Sequence, residues 1–201
     1  SKYKKNIKIY GHTTFKKIFN LNYQNIPLNK IRFQSQSKKY VNEFYKLEKK
    51  NDSDLIEIHN RPNYLSTLVP MLGKKNYVLY FHNDPLTMAG SKSINDRKFL
   101  LKYCYKIAFN SNWSKNRFLE GMQSKFISSN KLLVVFQSAK KKKINLNKKE
   151  KLITFVGKLN KSKGYDLFGN AVIKILKKYP GWKANVIGDE PRDKINFEHS
   201  R

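Results

Sequence analysis

Between Leu55 and Phe136, short apolar runs alternate with longer amphipathic stretches, and this alternation constrains the fold more than any other feature. The runs at 55–59, 77–81, 107–110 and 132–136 are nearly continuous in apolar residues, as strands buried on both faces of a parallel sheet are. Residues 37–49 place Tyr40, Val41, Phe44, Tyr45 and Leu47 at helical spacing, and Asn51-Asp52-Ser53-Asp54 breaks that helix. Arg61-Pro62-Asn63 opens a second helix with Leu65, Leu68, Val69 and Leu72 on one face, kinked by Pro70 and ended by Gly73. The spacing predicts a third helix over 95–106 with Phe99, Leu100 and Tyr103 inward, and a fourth over 111–121 capped by Ser111. Shorter strand signals lie at 6–10 and 30–34. The order predicts an α/β class: a Rossmann-like parallel sheet with helices on both faces.

The pattern then stops. Residues 138–150 hold Lys140 to Lys143 in a row, then Lys148 and Lys149, with almost nothing to bury. Beyond them it restarts with a strand at 152–156, a helix at 164–178 bearing Phe168, Val172, Ile175 and Tyr179 on one face, and a strand at 184–187. The expected organisation is a domain over 1–140, a lysine-rich linker over 141–150, and the start of a second Rossmann-like domain over 151–201. One βαβ unit takes roughly 30 residues and a domain usually more than about 50, so the second part is expected to be incomplete.

Hydrophobic residues make up 39% of the 201, enough for a real core, so disorder is excluded for the chain as a whole. The 42 basic residues against 14 acidic give a net charge of +28, yet only six of the 42 are arginine. Arginine is the side chain that reads bases and grips phosphates in pairs of hydrogen bonds. A lysine excess spread along the whole length reads first as a solvated surface, and specific nucleic-acid binding is not expected. The single Cys104 excludes an internal disulfide framework and fits a reducing compartment. No apolar run approaches the roughly 18 residues of a membrane-spanning helix, and residues 1–9 have no signal-peptide core. The expected location is cytoplasmic, with peripheral contact to an anionic inner membrane face.

The most pointed local pattern is Phe155-Val156-Gly157-Lys158-Leu159-Asn160-Lys161-Ser162-Lys163-Gly164. A strand ends in Gly157, a short loop holds three lysines, and Gly164 starts a helix. Open α/β sheets take ligands at the carboxyl ends of strands, and helix N-termini favour anions. Lys158 and Lys163 could hold a diphosphate there; an ordinary loop with solvated lysines is the competing reading. Of the histidines His12, His59, His82 and His199, most would serve packing. His82 stands apart because it ends a strand and precedes Asn83-Asp84-Pro85. Neither a metal-ligand spacing, nor a serine nucleophile elbow, nor a phosphate-binding Walker pattern occurs. No metal or other cofactor is expected.

The segment Val156-Gly157-Lys158-Leu159 followed by Lys163-Gly164 resembles the donor-binding stretch of the retaining GT-B glycosyltransferases of family four (group 1), with Leu167, Ala171, Leu176, Pro180 and Asn185-Val186-Ile187-Gly188 at similar spacing. Upstream, Asp54 to Pro62 and Tyr80 to Pro85 look like that family's two histidine-bearing strand ends, and Ile107 to Ser111 and Leu132 to Phe136 follow its order of elements. The resemblance implies a glycosyltransferase, hexosyltransferase-like, moving a sugar from a nucleotide-diphosphate sugar to a glycan or lipid acceptor in cell-envelope polysaccharide synthesis. It implies His82 as the catalytic residue, Gly157, Lys158, Lys163 and Gly164 on the donor, and His59, Asn60, Arg61, Asn83 and Asp84 on the acceptor.

The sequence also departs from the family. Lys158 stands where arginine is usual, which turns a bidentate grip into a point charge. Gln137-Ser138 replaces an Asn-Gly pair, and the first strand with its glycine-rich loop has no counterpart. The paired glutamates that hold sugar and ribose would lie beyond Arg201. The chain is therefore expected to be a partial or inactive fragment, cut at both ends, that transfers sugar poorly or not at all. The reading from another class is a non-catalytic basic module that binds nucleic acid or an anionic membrane. A two-lobed binding protein of periplasmic type is disfavoured by the missing signal sequence.

Overall fold

A computed structural model describes residues 7–13, 22–28, 35–123, 126, 129–139, 141, 143, 147 and 149–188. The chain forms two compact units, residues 1–139 and 140–201. The strand expected at 30–34 and much of the expected linker lie outside the described residues.

In the first unit, β1 (Ile9–Gly11) and β2 (Tyr23–Asn25) form a parallel pair of their own. The main sheet has the order β3-β4-β5-β6, all parallel: β3 (Leu55–His59), β4 (Asn76–Phe81), β5 (Cys104–Phe109) and β6 (Leu132–Val134). Helices α1 (Gln36–Asn51), α2 (Leu65–Leu72), α3 (Ile94–Tyr103) and α4 (Asn112–Leu119) alternate with these strands, so the α/β class with parallel sheets flanked by helices holds. The core joins Ile56, Ile58, Tyr77, Leu79, Ile107 and Phe109 of the sheet to Leu65, Leu68, Leu100 and Phe118 of the helices. Phe81, Phe109 and Phe118 form an aromatic cluster with ring centroids 5.3–5.7 Å apart. Cys104 is buried where β5 begins, and burial pushes its thiol up to about 12.

Several expected details are corrected. The strand at 55–59 is not uniformly buried: Ile56 and Ile58 point inward, whereas Leu55, Glu57 and His59 are exposed. The third helix starts at Ile94, fixed by a reciprocal capping box between Ser93 and Asp96, and ends at Tyr103 rather than 106. Pairing with β4 draws Cys104 into the sheet, so β5 starts three residues earlier than the apolar run suggested. With that phase Arg97, Leu100 and Leu101 face inward and Tyr103 is exposed. The helix after Ser111 stops at Leu119, and β6 keeps only three ladder residues.

In the second unit, β7 (Leu152–Val156) and β8 (Lys183–Ile187) pair in parallel, with α5 (Tyr165–Lys178) between them in sequence. The face of α5 is rotated from expectation. Phe168, Gly169 and Val172 are covered, whereas Ile175 and Tyr179 are exposed. Phe155 of β7 sets this rotation by packing on the rings of Tyr165 and Phe168, at 5.2 and 5.3 Å.

Candidate functional site

Parallel pairing brings the carboxyl ends of β3, β4 and β5 together, and each ends in polar residues: His59-Asn60-Arg61, His82-Asn83-Asp84 and Asn110. Asn60 adopts the left-handed conformation, φ 58°, which asparagine tolerates better than most residues. Its N–H donates to the Tyr80 carbonyl at 2.8 Å. Its Oδ1 accepts from the backbone N–H of His82 at 3.0 Å and of Asn83 at 3.3 Å. From the other side, Asn110 Nδ2 donates to the His82 carbonyl at 2.8 Å. The His82 backbone is thus held at both its polar atoms. Asn60→Gly keeps the left-handed backbone but removes the acceptor, and should cost about 1 kcal/mol. Amide exchange at His82 and Asn83 is the direct readout; unchanged protection there would refute the bracket.

The side chains on this edge form a row of two hydrogen bonds extended by an ion-pair contact. His59 Nε2 lies 3.1 Å from Glu57 Oε1, His59 Nδ1 lies 2.8 Å from His82 Nε2, and Gln137 Nε2 lies 2.9 Å from His82 Nδ1. The rings of His59, Tyr80 and His82 lie within 20° of parallel. Partial burial, then the neighbouring His59, lowers the His82 pKa below its usual value, against an upward pull from Glu57. Both ring nitrogens of His82 are engaged, Nε2 by His59 and Nδ1 by Gln137. Arg61 folds back to donate to the Asn60 carbonyl at 3.1 Å.

Asp84 is committed to structure around the same loop. It accepts from the Leu86 N–H at 3.0 Å, capping the short 3-10 turn Pro85–Thr87, and pairs with Arg117 NH2 of α4 at 3.1 Å. Partial burial pushes its carboxyl up, but the Arg117 and Leu86 hydrogen bonds prevail and hold it below the usual range. Sequence reasoning singled out neither Glu57, Asn110 nor Arg117 as site residues, and noted Gln137 only as a departure from a family pattern. Asn110 carried a signal that could have been used: like His59 and His82, it stands at the carboxyl end of a parallel strand.

In the second unit, Gly157, Lys158, Lys163 and Gly164 lie on one loop. Gly157 follows β7 and donates its N–H to the Ile187 carbonyl at 3.0 Å, extending the β7–β8 ladder. The chain crosses Lys158 to Asn160, makes a 3-10 turn over Lys161–Lys163, and enters α5 through Gly164 in the left-handed conformation, φ 70°. The Asn160 carbonyl closes the loop by accepting from the N–H groups of Lys163 and Tyr165, at 3.1 and 3.3 Å. Lys158 and Lys163 are both exposed. A Cβ at Gly188 would overlap the Gly157 carbonyl oxygen, so the ends of β7 and β8 meet backbone to backbone beside this loop. The loop carries two exposed lysines, and Lys163 directly precedes Gly164 at the start of α5, where a helix N-terminus favours an anion.

Among the described residues, no three His, Cys, Asp or Glu side chains stand together as metal ligands. No described helix is long and apolar enough to cross a membrane. Residues 136–199 match the family model described as glycosyl transferases group 1. No curated protein matches the chain. A domain of that family takes a nucleotide-sugar donor and an acceptor in general, and the matched stretch contains the whole loop from Gly157 to Gly164. Over residues 136–199 the chain is therefore similar to the glycosyl transferases group 1.

Proposed function

We propose that the protein is a retaining glycosyltransferase that moves a sugar from a nucleotide-diphosphate donor to a hydroxyl of a glycan or lipid acceptor in envelope polysaccharide synthesis. The observation that carries this reading is the loop from Gly157 to Gly164, inside the matched stretch, which bears Lys158 after β7 and Lys163 directly before the start of α5. Glycosyl transfer from such a donor needs charge stabilisation on the departing diphosphate. Two lysines and a helix N-terminus supply positive potential where that charge develops, so the reading calls for no metal. The first unit takes the acceptor side, with His82 as catalytic group and His59, Asn60, Arg61, Asn83 and Asp84 around the acceptor. The net charge of +28 supports work at an anionic inner membrane face.

The test is calorimetric titration of the protein with UDP, GDP and ADP. One of them should bind, and Lys163→Ala should reduce that affinity at least tenfold, since it removes one of the two cations expected on the phosphates. Failure of all three to bind, or equal binding by the variant, would sink the donor assignment. Lys174→Ala, on α5 away from the loop, is the matched control for lost charge.

A further inference from the structure

The row Gln137–His82–His59–Glu57 has a direction that follows from what each atom can do. Glu57 Oε1 stands 3.1 Å from His59 Nε2, within ion-pair reach, and a lone pair on that nitrogen would face the negative oxygen, so the neighbouring carboxylate favours the proton on His59 Nε2. A neutral imidazole has one N–H, so His59 Nδ1 is then an acceptor, and the 2.8 Å contact requires the proton on His82 Nε2. His82 Nδ1 is left as an acceptor and takes the Gln137 amide N–H at 2.9 Å. Every contact is satisfied by one assignment of protons, and the assignment starts at Glu57.

We propose that Glu57, acting through His59, is a positioning residue that makes His82 Nδ1 the proton-accepting atom of this strand edge. A hydroxyl that displaces the Gln137 amide meets a lone pair there and not an N–H. When the hydroxyl proton passes to His82 Nδ1, the proton on His82 Nε2 can move along its hydrogen bond to His59 Nδ1. The positive charge then rests on His59 beside the Glu57 carboxylate, while the hydroxyl oxygen keeps the electron pair. One proton enters the pair and none leaves it. The groups facing His82 are Glu57 and His59 from β3, the Tyr80 ring on its own strand, and Gln137 beyond β6. The nearby Asp84 carboxylate is neutralised by Arg117. The depressed pKa of His82 is consistent with a neutral starting state. This inference stands without the glycosyl-transfer reading, because its test follows imidazole nitrogens and not turnover.

The test is nitrogen NMR on the full chain with labelled histidines. A coupling across the hydrogen bond between His82 Nε2 and His59 Nδ1 is expected at pH 8, with the proton covalently on His82. On acidification His82 Nδ1 should take up the proton, while His59 Nε2 stays protonated throughout. Glu57→Gln keeps size and exposure but loses the charge, and should move that shared titration down by about one pH unit, the low end of what an adjacent opposite charge does. Glu43→Gln, on α1 and paired there with Lys46, should leave it in place. Absence of the coupling, independent titration of the two rings, or an unmoved midpoint in Glu57→Gln would each overturn the proposal.

Discussion

Arg97→Ala is expected to destabilise the first unit by about 3 kcal/mol in urea unfolding, through loss of charge-assisted hydrogen bonds and of buried volume. Arg97 is only 3% exposed. Its NH1 donates to the carbonyls of Phe118 and Glu120, and its Nε to the Ser93 carbonyl at 3.3 Å. The first two lie at the C-terminal end of α4, where helix carbonyls have no intrahelical donors and favour a cation. The variant strands those carbonyls in a region that excludes water. The damage should spread toward the site, because α4 carries Arg117, the partner of Asp84 in the His82 loop. Arg97→Lys should recover only part of the loss, since one ammonium cannot reproduce the fork. A loss below about 1 kcal/mol for the alanine variant would mean that water replaces the guanidinium, and the clamp would be incidental.

Gly90→Ala should be nearly as damaging, by a different route. Gly90 has φ +88°, and a Cβ there would stand 2.6 Å from the backbone N and Cα of Asn63. Backbone atoms cannot rotate away as a side chain can. The left-handed conformation costs a residue with a Cβ about 1–2 kcal/mol and the overpacking about 1–3 more. Gly73→Ala is the comparison without the clash: Gly73 has φ +68° and ψ −146°, a backbone region that only glycine adopts readily, with nothing within 4 Å of its Cβ position. Since Gly90 lays the loop beyond His82 against the turn beyond Asn60, Gly90→Ala should also shift the His59 and His82 ring resonances, and Gly73→Ala should not. Equal losses in the two would show that Asn63 gives way, and that the close approach carries no constraint.

The parts of the fold legible in the sequence were those governed by local periodicity. Leu55–His59 and Leu152–Val156 have the limits expected from their apolar runs, and Ser111 caps its helix through a hydrogen bond to the Ser114 N–H. The parts that were misread depend on partners distant in sequence. No local pattern says that β5 must begin at Cys104, because the cause is the ladder with Tyr77. The inward face of α5 is chosen by Phe155 from another element, and Ile175 and Tyr179 carry the same helical spacing whether covered or not. At the site, His59 and His82 were visible as residue types at strand ends. Their contact was not, because it depends on the register that sets His59 beside Tyr80. Glu57 looked like any exposed strand carboxylate until that register placed a histidine row beside it.

Cys104, the chain's single thiol, sits at the first residue of β5, 1% exposed, with its pKa raised to about 12. A thiol reacts as its thiolate, so modification in the folded state is doubly suppressed, by access and by protonation. The rate at which a disulfide reagent consumes this sulfur is then governed by how often the first unit opens. The protein thus carries its own clock of opening, placed by the fold at the heart of the strand ladder. Because the second unit contains no cysteine, that clock times the first unit alone. An introduced surface cysteine elsewhere could be labelled selectively while the native one stays silent.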